Sequence, residues 1–340
     1  MHPTILRILT AVLIFAASVQ QTLAQDSSPS YNFLNIASST RVYGLGGVNI
    51  STIDDDINVV DQNPGLLGAE IGMQLGVNYM HYIGDSNFAG VKFGRAAGEH
   101  GAWAMGLQYL GYGSIKGADI NGVLTGEFSP KDLVINGIYA HDISDRWRGG
   151  INLKFVYSTY DAYTAMALAT DLGVNYYDPD RDLSFSAVVA NLGGQIKRFH
   201  ESYDRLPIDF RLGWTQSFGS LPIRWSVTAW NLTKWHLPYY DAGDGSMNSD
   251  PKVRDSFASN LFRHLIFAAD FVPSEKFNIG IGYNYKTRTD MATYQRNFLS
   301  GFSITAGLKV RNFNLGVAFA QPHTGATTLM LNISTNLYEF

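Results

Sequence analysis

The feature that most constrains the fold is an alternation of apolar and polar residues with a period of two, which recurs from about Glu70 to Phe340. In residues 277–286 every odd position is apolar or aromatic, whereas the even positions are Asn, Gly or Lys. Residues 208–215 and 313–320 show the same alternation. Because successive side chains of a β-strand point to opposite faces, each segment predicts a strand with one apolar face.

A membrane β-barrel is the architecture that these strands favour. After the first residues, no apolar window reaches the roughly 18 residues of a transmembrane helix, and only a closed barrel then pairs every backbone group that faces lipid. A soluble β-sandwich also alternates. Here, however, the polar face is rich in Gly and uncharged residues, and aromatic residues gather near segment ends, as at Tyr157 and Tyr160. Both features are typical of a barrel with a polar lumen and interfacial aromatic girdles.

The predicted fold class is all-β, a transmembrane antiparallel β-barrel of about 14 strands with an N-terminal hatch or plug inside its lumen. The length from Glu70 onward agrees with this number, at roughly 20 residues for each strand with its turn. Long connections are predicted at residues 117–130, 193–206 and 236–262, and a helical turn around residues 256–262. In such barrels the long loops face outward and the short turns face the periplasm.

The first residues predict a secretory signal peptide. Arg7 precedes an apolar stretch from Ile8 to Val19, which is too short to span a bilayer, and we expect cleavage after Ala24. The predicted division is therefore a signal peptide at 1–24, a hatch at 25–69 and a barrel at 70–340. The expected location is the outer membrane of a Gram-negative bacterium, with outer-membrane lipid and the barrel-assembly machinery as general partners.

Residues 31–69 break the alternation and predict the plug. Glycines would allow tight bends, Pro64 would fix a turn and Asn63 would bond backbone groups. The acidic run could bind a cation, but pairing with luminal cations such as Arg41, Lys154 or Arg211 is favoured. The plug residues singled out are Arg41, Gly44, Gly46, Gly47, Asp54, Asp55, Asp56, Asn63 and Pro64. A second set, which could line an apolar pocket or pack a small core, is Phe33, Leu34, Ile36, Leu66 and Leu67.

The chain ends on aromatic residues, Tyr338 and Phe340, which fit the insertion signal that barrel-assembly machinery reads. Their register is inconsistent with the strand before them. The apolar residues from Leu329 to Leu337 occupy odd positions, whereas the two aromatics occupy even ones. Either a bulge near Asn336 shifts the register, or the faces are assigned wrongly there.

The sequence predicts neither an enzyme nor a metal or cofactor site. The segment from Ser249 to Lys252 fits an S-x-x-K motif in letters, but Pro251 is incompatible with the helix that this chemistry needs. The eight histidines include no pair at metal-ligand spacing. A net charge of −4 without a basic cluster excludes nucleic acid as a partner.

The plug sequence resembles that of the FadL-like outer-membrane barrels. The resemblance rests on Phe33-Leu34, Ser39-Thr40-Arg41, Gly44-Leu45-Gly46-Gly47, Asp54 to Asp56, and Asn63-Pro64. It implies fourteen strands. Within that group the string is most similar to the PorQ family of the type IX secretion system of Bacteroidetes. That resemblance implies a non-enzymatic anchor in the attachment complex, with PorZ, PorU and PorV as partners.

The alternative is a FadL-like transporter that passes hydrophobic solutes through a gap in the barrel wall. Its expected correlates are an apolar pocket beneath the hatch and a kink in an early strand.

Overall fold

The computed structural model describes residues 31–118, 121–199, 203–218, 221–241, 252–274, 276–290, 299–323 and 326–339. The predicted signal peptide with its cleavage site at Ala24, residues 249–251 of the S-x-x-K string, and Phe340 lie outside this part of the chain. None of the helices within it is both long and apolar enough to cross a membrane.

The described chain contains eighteen strands and three α-helices. The strands are β1 Met73–His81, β2 Asn87–Ala96, β3 Gly101–Gly111, β4 Ile115–Ala118, β5 Leu124–Phe128, β6 Lys131–Ser144, β7 Trp147–Tyr160, β8 Tyr163–Asp178, β9 Leu183–Lys197, β10 Asp209–Ser217, β11 Ile223–Ala229, β12 Tyr239–Asp241, β13 Lys252–Arg254, β14 Leu265–Ser274, β15 Phe277–Asn284, β16 Phe302–Val310, β17 Phe313–His323 and β18 Ala326–Asn336. The α-helices are α1 Thr40–Gly44, α2 Phe257–His264 and α3 Tyr285–Asp290. Short 3-10 helices span Asn32–Asn35, Ile57–Asp61, Pro64–Leu66, Ala69–Ile71 and Leu337–Glu339.

Fourteen of the strands form one closed antiparallel barrel, in which β1 pairs with both β2 and β18. The other four form two separate hairpins, β4–β5 and β12–β13. The predicted barrel and its strand number are confirmed. Both ends of the barrel sequence lie at one rim, together with the short β6–β7, β8–β9 and β16–β17 turns. The opposite rim carries the long connections and therefore faces outward.

The two faces of the strands follow the predicted alternation. On β15, Ile279 and Ile281 point outward, whereas Gly282 and Asn284 are buried toward the lumen. The same separation holds on β10, where Leu212 is exposed and Arg211 is buried. The apolar band therefore faces lipid, while the polar and small residues face the interior.

The connections differ in part from the predictions. Residues 117–130 carry most of the β4–β5 hairpin, and the predicted helical turn is α2, whose first N–H groups are capped by the Ser256 side chain through Ser259 N. The loop predicted at 193–206 begins later, because β9 continues to Lys197. The pairing of β9 with β8 shifts in register opposite residues 170–172, where Asn191 has a φ of 56°. Beyond this point the side chains of β9 alternate in the opposite phase, so a search for a period of two in the sequence misses the last residues of the strand.

The C-terminal conflict has a simple structural origin. Strand β18 keeps its register with β1 up to Asn336, where the strand ends. A 3-10 helix, Leu337–Glu339, then reorients the chain, and Tyr338 is exposed. The odd positions of β18 do face outward, so the expected bulge near Asn336 and the expected error in face assignment are both wrong, as is the extension of this strand to residue 339.

Candidate functional site

The segment ahead of β1, residues 31–72, fills the lumen and is called the plug below. Its contacts reach strands on all sides of the barrel. Asn49 Nδ2 donates to Ser226 Oγ on β11 at 2.9 Å, and the Gly46 amide donates to Ser303 Oγ on β16 at 3.0 Å. Thr40 bonds to Asn332 on β18. The plug is therefore held around the circumference of the barrel.

Three groups of charged or amide side chains connect the plug to the barrel. Arg41 pairs with Asp54 of the plug and with Asp270 of β14, to which its Nε donates at 2.9 Å. Although burial opposes its charge, these two carboxylates raise the pKa of Arg41 above its ordinary value. The second connection is Arg211 of β10, which donates to Gln62 Oε1 at 2.8 Å and to Asn35 Oδ1 at 2.6 Å.

Asp61 forms a matching connection on the other side of the barrel. It pairs with Lys92 of β2 and accepts a bond from Gln108 Nε2 of β3 at 2.8 Å. Burial alone would raise the pKa of Asp61, but the Lys92 cation lowers it below its ordinary value. Buried charges that are paired in this way are costly to separate, because either one left alone is uncompensated.

The acidic run occupies three different environments. Asp54 pairs with Arg41, as predicted, whereas Asp55 is exposed and lies 3.3 Å from Lys309 Nζ. Asp56 is buried and accepts a bond from Asn332 Nδ2 at 2.7 Å. Burial and the neighbouring Asp54 raise the pKa of Asp56 to about 6.

The other cations proposed for this run pair elsewhere. Lys154 Nζ lies 2.6 Å from Asp171, and Arg211 Nε lies 2.8 Å from Asp209. That part of the pairing prediction is wrong, because each cation finds a carboxylate nearer to it in the barrel wall. Among the described residues, no three His, Asp or Glu side chains are arranged to hold a metal ion.

Of the predicted turn residues, Gly44 and Gly46 lie where the plug closely approaches the wall. Gly46 and Gly47 have φ angles of 103° and 87°, which favour glycine. A Cβ on Gly44 would lie 2.2 Å from Thr305 Cβ on β16. Asn63 Nδ2 donates to the Ile50 carbonyl at 2.8 Å, and Pro64 begins a 3-10 helix.

Glycines of the barrel wall were missed by the sequence analysis. A Cβ on Gly282 would lie 2.2 Å from Gly46 N, one on Gly150 would lie 2.4 Å from the Pro64 carbonyl, and one on Gly173 would lie 2.1 Å from Asn63 Oδ1. These positions accept plug backbone or its turn residues directly. The available signal was the abundance of Gly on the inward face of the strands.

The five apolar residues predicted for a pocket or a core pack as a core. Phe33, Leu34, Leu66 and Leu67 belong to one buried apolar cluster, and Ile36 packs against it. They do not share one cavity. Phe33 and Ile36 line different cavities on the outer side, whereas Leu66 lines a third, beside Arg146 and Trp147 of the β6–β7 turn region.

A cavity of about 380 Å³ lies at the outer end of the plug and is called the aromatic cavity below. It is lined by Tyr31, Phe33, Ser158, Tyr160, Tyr163, Phe199 and Asp204. The rings of Tyr160 and Phe199 meet edge to face, with centroids 5.0 Å apart. The Tyr160 hydroxyl donates to the buried Asp132 carboxylate at 3.0 Å, as Tyr112 does at 2.6 Å.

The wall next to the plug is continuous in the early strands. The β1–β2 ladder runs from Met73 to His81 and the β2–β3 ladder from Asn87 to Ala96, without a register shift in these described residues. The β3–β6 ladder is likewise regular. The kink that a lateral exit would place in an early strand is therefore not seen in this part of the chain.

Comparison with known proteins supports the fold. No protein-family model matches the chain, and no curated protein matches it. The TodX deltaS2S3 mutant monoaromatic hydrocarbon channel matches with a TM-score of 0.55 and 10% identity, covering 88% of this chain and 99% of that one. The Pseudomonas putida toluene transporter TodX matches with a TM-score of 0.50 and 10% identity, covering 86% and 95%. A Pseudomonas aeruginosa FadL homologue aligns at a TM-score of 0.48 and 10% identity, covering 88% and 98%.

At this identity the likeness concerns the fold. The two TodX structures are described as a monoaromatic hydrocarbon channel and a toluene transporter. The chain therefore has a closed, fourteen-stranded antiparallel barrel with the fold of the TodX structures.

Proposed function

We propose that this chain is a non-conducting barrel that holds partner proteins at the outer surface of the cell. The observation that carries the proposal is the fixed plug. Arg41 and Asp61 join it by ion pairs, and Gln62 by a hydrogen bond from Arg211, to strands on different sides of the barrel. The early strands beside it are regularly paired. A plug bonded in this way fills the lumen, so the barrel serves best as a rigid membrane anchor.

Exposed apolar side chains beyond the outer rim support a protein partner. In the β12–β13 hairpin, Tyr240 pairs with Val253, and these residues are 73% and 58% exposed. Phe257 of α2 is 69% exposed nearby in sequence. Burying such residues against a partner lowers the free energy of the complex, because it removes apolar surface from water. The resemblance of the plug to the PorQ family makes the type IX attachment-complex proteins PorU, PorV and PorZ the first partners to test.

The test is purification of the chain from its native membrane in mild detergent, followed by identification and quantification of the proteins that accompany it. We expect stoichiometric surface proteins with the natural chain. The double variant Tyr240→Ser, Val253→Ser should lose them. Leu124→Ser, which changes an exposed residue of the separate β4–β5 hairpin, is the matched control and should keep them.

The hairpin variant is preferable to deleting residues 236–262 as a whole. The buried Asn260 of α2 lies within this range, and the buried Arg263 and His264 follow it directly, so the deletion would disturb the barrel rim as well as the surface. Both variants should retain the gel mobility of the folded barrel in unheated detergent samples. A natural chain that purifies without any stoichiometric protein would contradict the anchor role.

The second candidate is an outer-membrane transporter of hydrophobic solutes, and the comparisons favour it, because the TodX structures are described as a hydrocarbon channel and a toluene transporter. The aromatic cavity is the observation in this chain that supports it. Under this role, deletion of the chain should slow uptake of an apolar nutrient and leave surface proteins attached. Under the anchor role, deletion should leave exported proteins unattached and uptake unchanged.

A further inference from the structure

The aromatic cavity combines apolar walls with one carboxylate in its lining and a second, buried carboxylate behind it. The plug contributes Tyr31 and Phe33, whose rings lie 6.0 Å apart, and the barrel contributes Tyr160 and Phe199. Tyr163 lies at the β7–β8 turn and is more than half exposed, so the cavity can be reached from the outer side. An apolar molecule could enter it, but the groups at its base indicate a more specific occupant.

Asp132 differs from four other buried carboxylates of the interior, and resembles Asp56 of the plug, in having no cation among its partners in the described chain. Asp61, Asp171, Asp209 and Asp270 each pair with a lysine or arginine. Asp132 is 1% exposed, and its contacts in the described chain are hydroxyl groups, those of Tyr112 and Tyr160. Buried carboxylates are normally matched by a cation. This one has only neutral donors.

Neither a lysine nor an arginine is among the described residues that line the aromatic cavity, whereas one carboxylate, Asp204, does line it. Asp132 lies behind this lining, bonded to the Tyr160 hydroxyl. Asp204 is oriented by Gln195, whose Oε1 accepts a bond from the Asp204 amide at 2.8 Å. Aromatic rings attract cations through their electron-rich faces, and the attraction grows when the cation leaves water. The aromatic rings and the carboxylates therefore both attract a positive charge.

We propose that the aromatic cavity binds an organic cation, an ammonium group with an apolar body, taken from the outer side. The apolar body contacts Tyr31, Phe33 and Phe199, while the positive charge lies beside Asp204, with Asp132 behind the Tyr160 hydroxyl. The inference depends on neither of the two roles proposed above. A barrel that anchors proteins and one that moves solutes could each carry this site.

The experiment compares choline with 3,3-dimethyl-1-butanol, its uncharged isostere, by calorimetric titration of the mature full-length chain. A maltoside detergent is required, because phosphocholine detergents would occupy the site. We expect choline to bind at least about tenfold more tightly than the isostere, the effect of a desolvated cation on aromatic rings and carboxylates. Asp204→Asn should abolish this preference, and Asp132→Asn should lower it. Asp85→Asn, an exposed carboxylate in the β1–β2 turn, should preserve it.

A second variant separates binding from folding. Tyr163→Leu alters an exposed ring at the rim and keeps its apolar surface, so it should fold and should weaken choline binding more than binding of the isostere. Equal affinity of the two probes in the natural chain would overturn the proposal and leave an apolar solute site. Absence of choline binding, or an unchanged preference in the folded Asp204→Asn variant or in the folded Asp132→Asn variant, would also overturn it. Neither result would bear on whether surface proteins co-purify.

Discussion

Replacing Gly282 by alanine should displace the plug without destroying the barrel. Gly282 faces the lumen on β15, where an added Cβ would lie 2.2 Å from Gly46 N and 2.3 Å from the Leu45 carbonyl carbon. Both neighbours are plug backbone, so a side-chain rotation cannot relieve the overlap. An ordinary contact begins at 3.4 Å, so the plug must retreat by about 1 Å, from 3.4 − 2.3.

The retreat has a calculable cost. The Gly46 amide bonds to Ser303 Oγ and the Gly46 carbonyl accepts from Asn284 Nδ2, each at 3.0 Å. A further 1 Å breaks both bonds, at about 1 kcal/mol each. Residual overpacking adds roughly 1–3 kcal/mol. We therefore expect Gly282→Ala to lower the free energy of unfolding by about 3–5 kcal/mol.

The measurement is urea unfolding in lipid vesicles followed by tryptophan fluorescence, together with ion conductance in planar bilayers. Gly137→Ala is the control, because an added Cβ at this barrel position meets nothing within 4 Å. That variant should change stability by less than about 1 kcal/mol. Gly282→Ala should also raise conductance. Equal stability and equal conductance of the two variants would refute the close contact between plug and wall.

Two further predictions concern charges of the plug. Arg41→Gln leaves Asp270 buried without its cation and should cost about 3–5 kcal/mol, measured by the same unfolding assay. Adding Asp270→Asn should recover part of this loss, and no recovery would contradict the pairing. The raised pKa of Asp56, about 6 against 3.8 unfolded, means that its contribution to stability is full below about pH 4 and is lost as the pH rises through 6. Asp56→Asn should remove about 3 kcal/mol of pH dependence between pH 4 and 7, from roughly 1.4 kcal/mol per unit; an unchanged pH profile would contradict the shift.

The barrel strands were largely predictable because their signal is local. A strand with lipid on one side carries its period of two in its own residues, whatever its partners are. The prediction failed where the backbone leaves the strand conformation although the sequence still alternates between apolar and polar residues. Strand β15 ends at Asn284, whose Oδ1 accepts from Thr287 N at 3.1 Å and starts α3. Tyr285 and Lys286 continue the alternation in the sequence, but they belong to α3 and not to the strand.

The plug was predictable in kind but not in its contacts. A basic residue and an acidic run thirteen positions apart suggested the Arg41–Asp54 pair. The stronger connection to the barrel, Asp270, is 229 residues away in sequence. The aromatic cavity joins the plug to β7 and to the loop after β9, and neither alternation nor spacing relates such distant segments. Their proximity follows from barrel closure, which a single sequence does not report.

The bonding of the plug is uneven, and this predicts where it opens first. Helix α1 is held by the Arg41 ion pairs, and its amides at Tyr43 and Leu45 donate at 2.9 and 3.0 Å to carbonyls of the same turn. The Asn32–Asn35 turn has similar backbone bonds at Leu34 and Ile36, but its ties to the barrel pass through the neutral side chains of Asn35 and of Tyr31, its neighbour. Local opening is easier where no buried ion pair must separate. Hydrogen exchange should therefore be faster at residues 34–36 than at 43–45 in the intact barrel. Equal protection would mean that plug and cavity open together, and the cavity would then be accessible only when the whole plug moves.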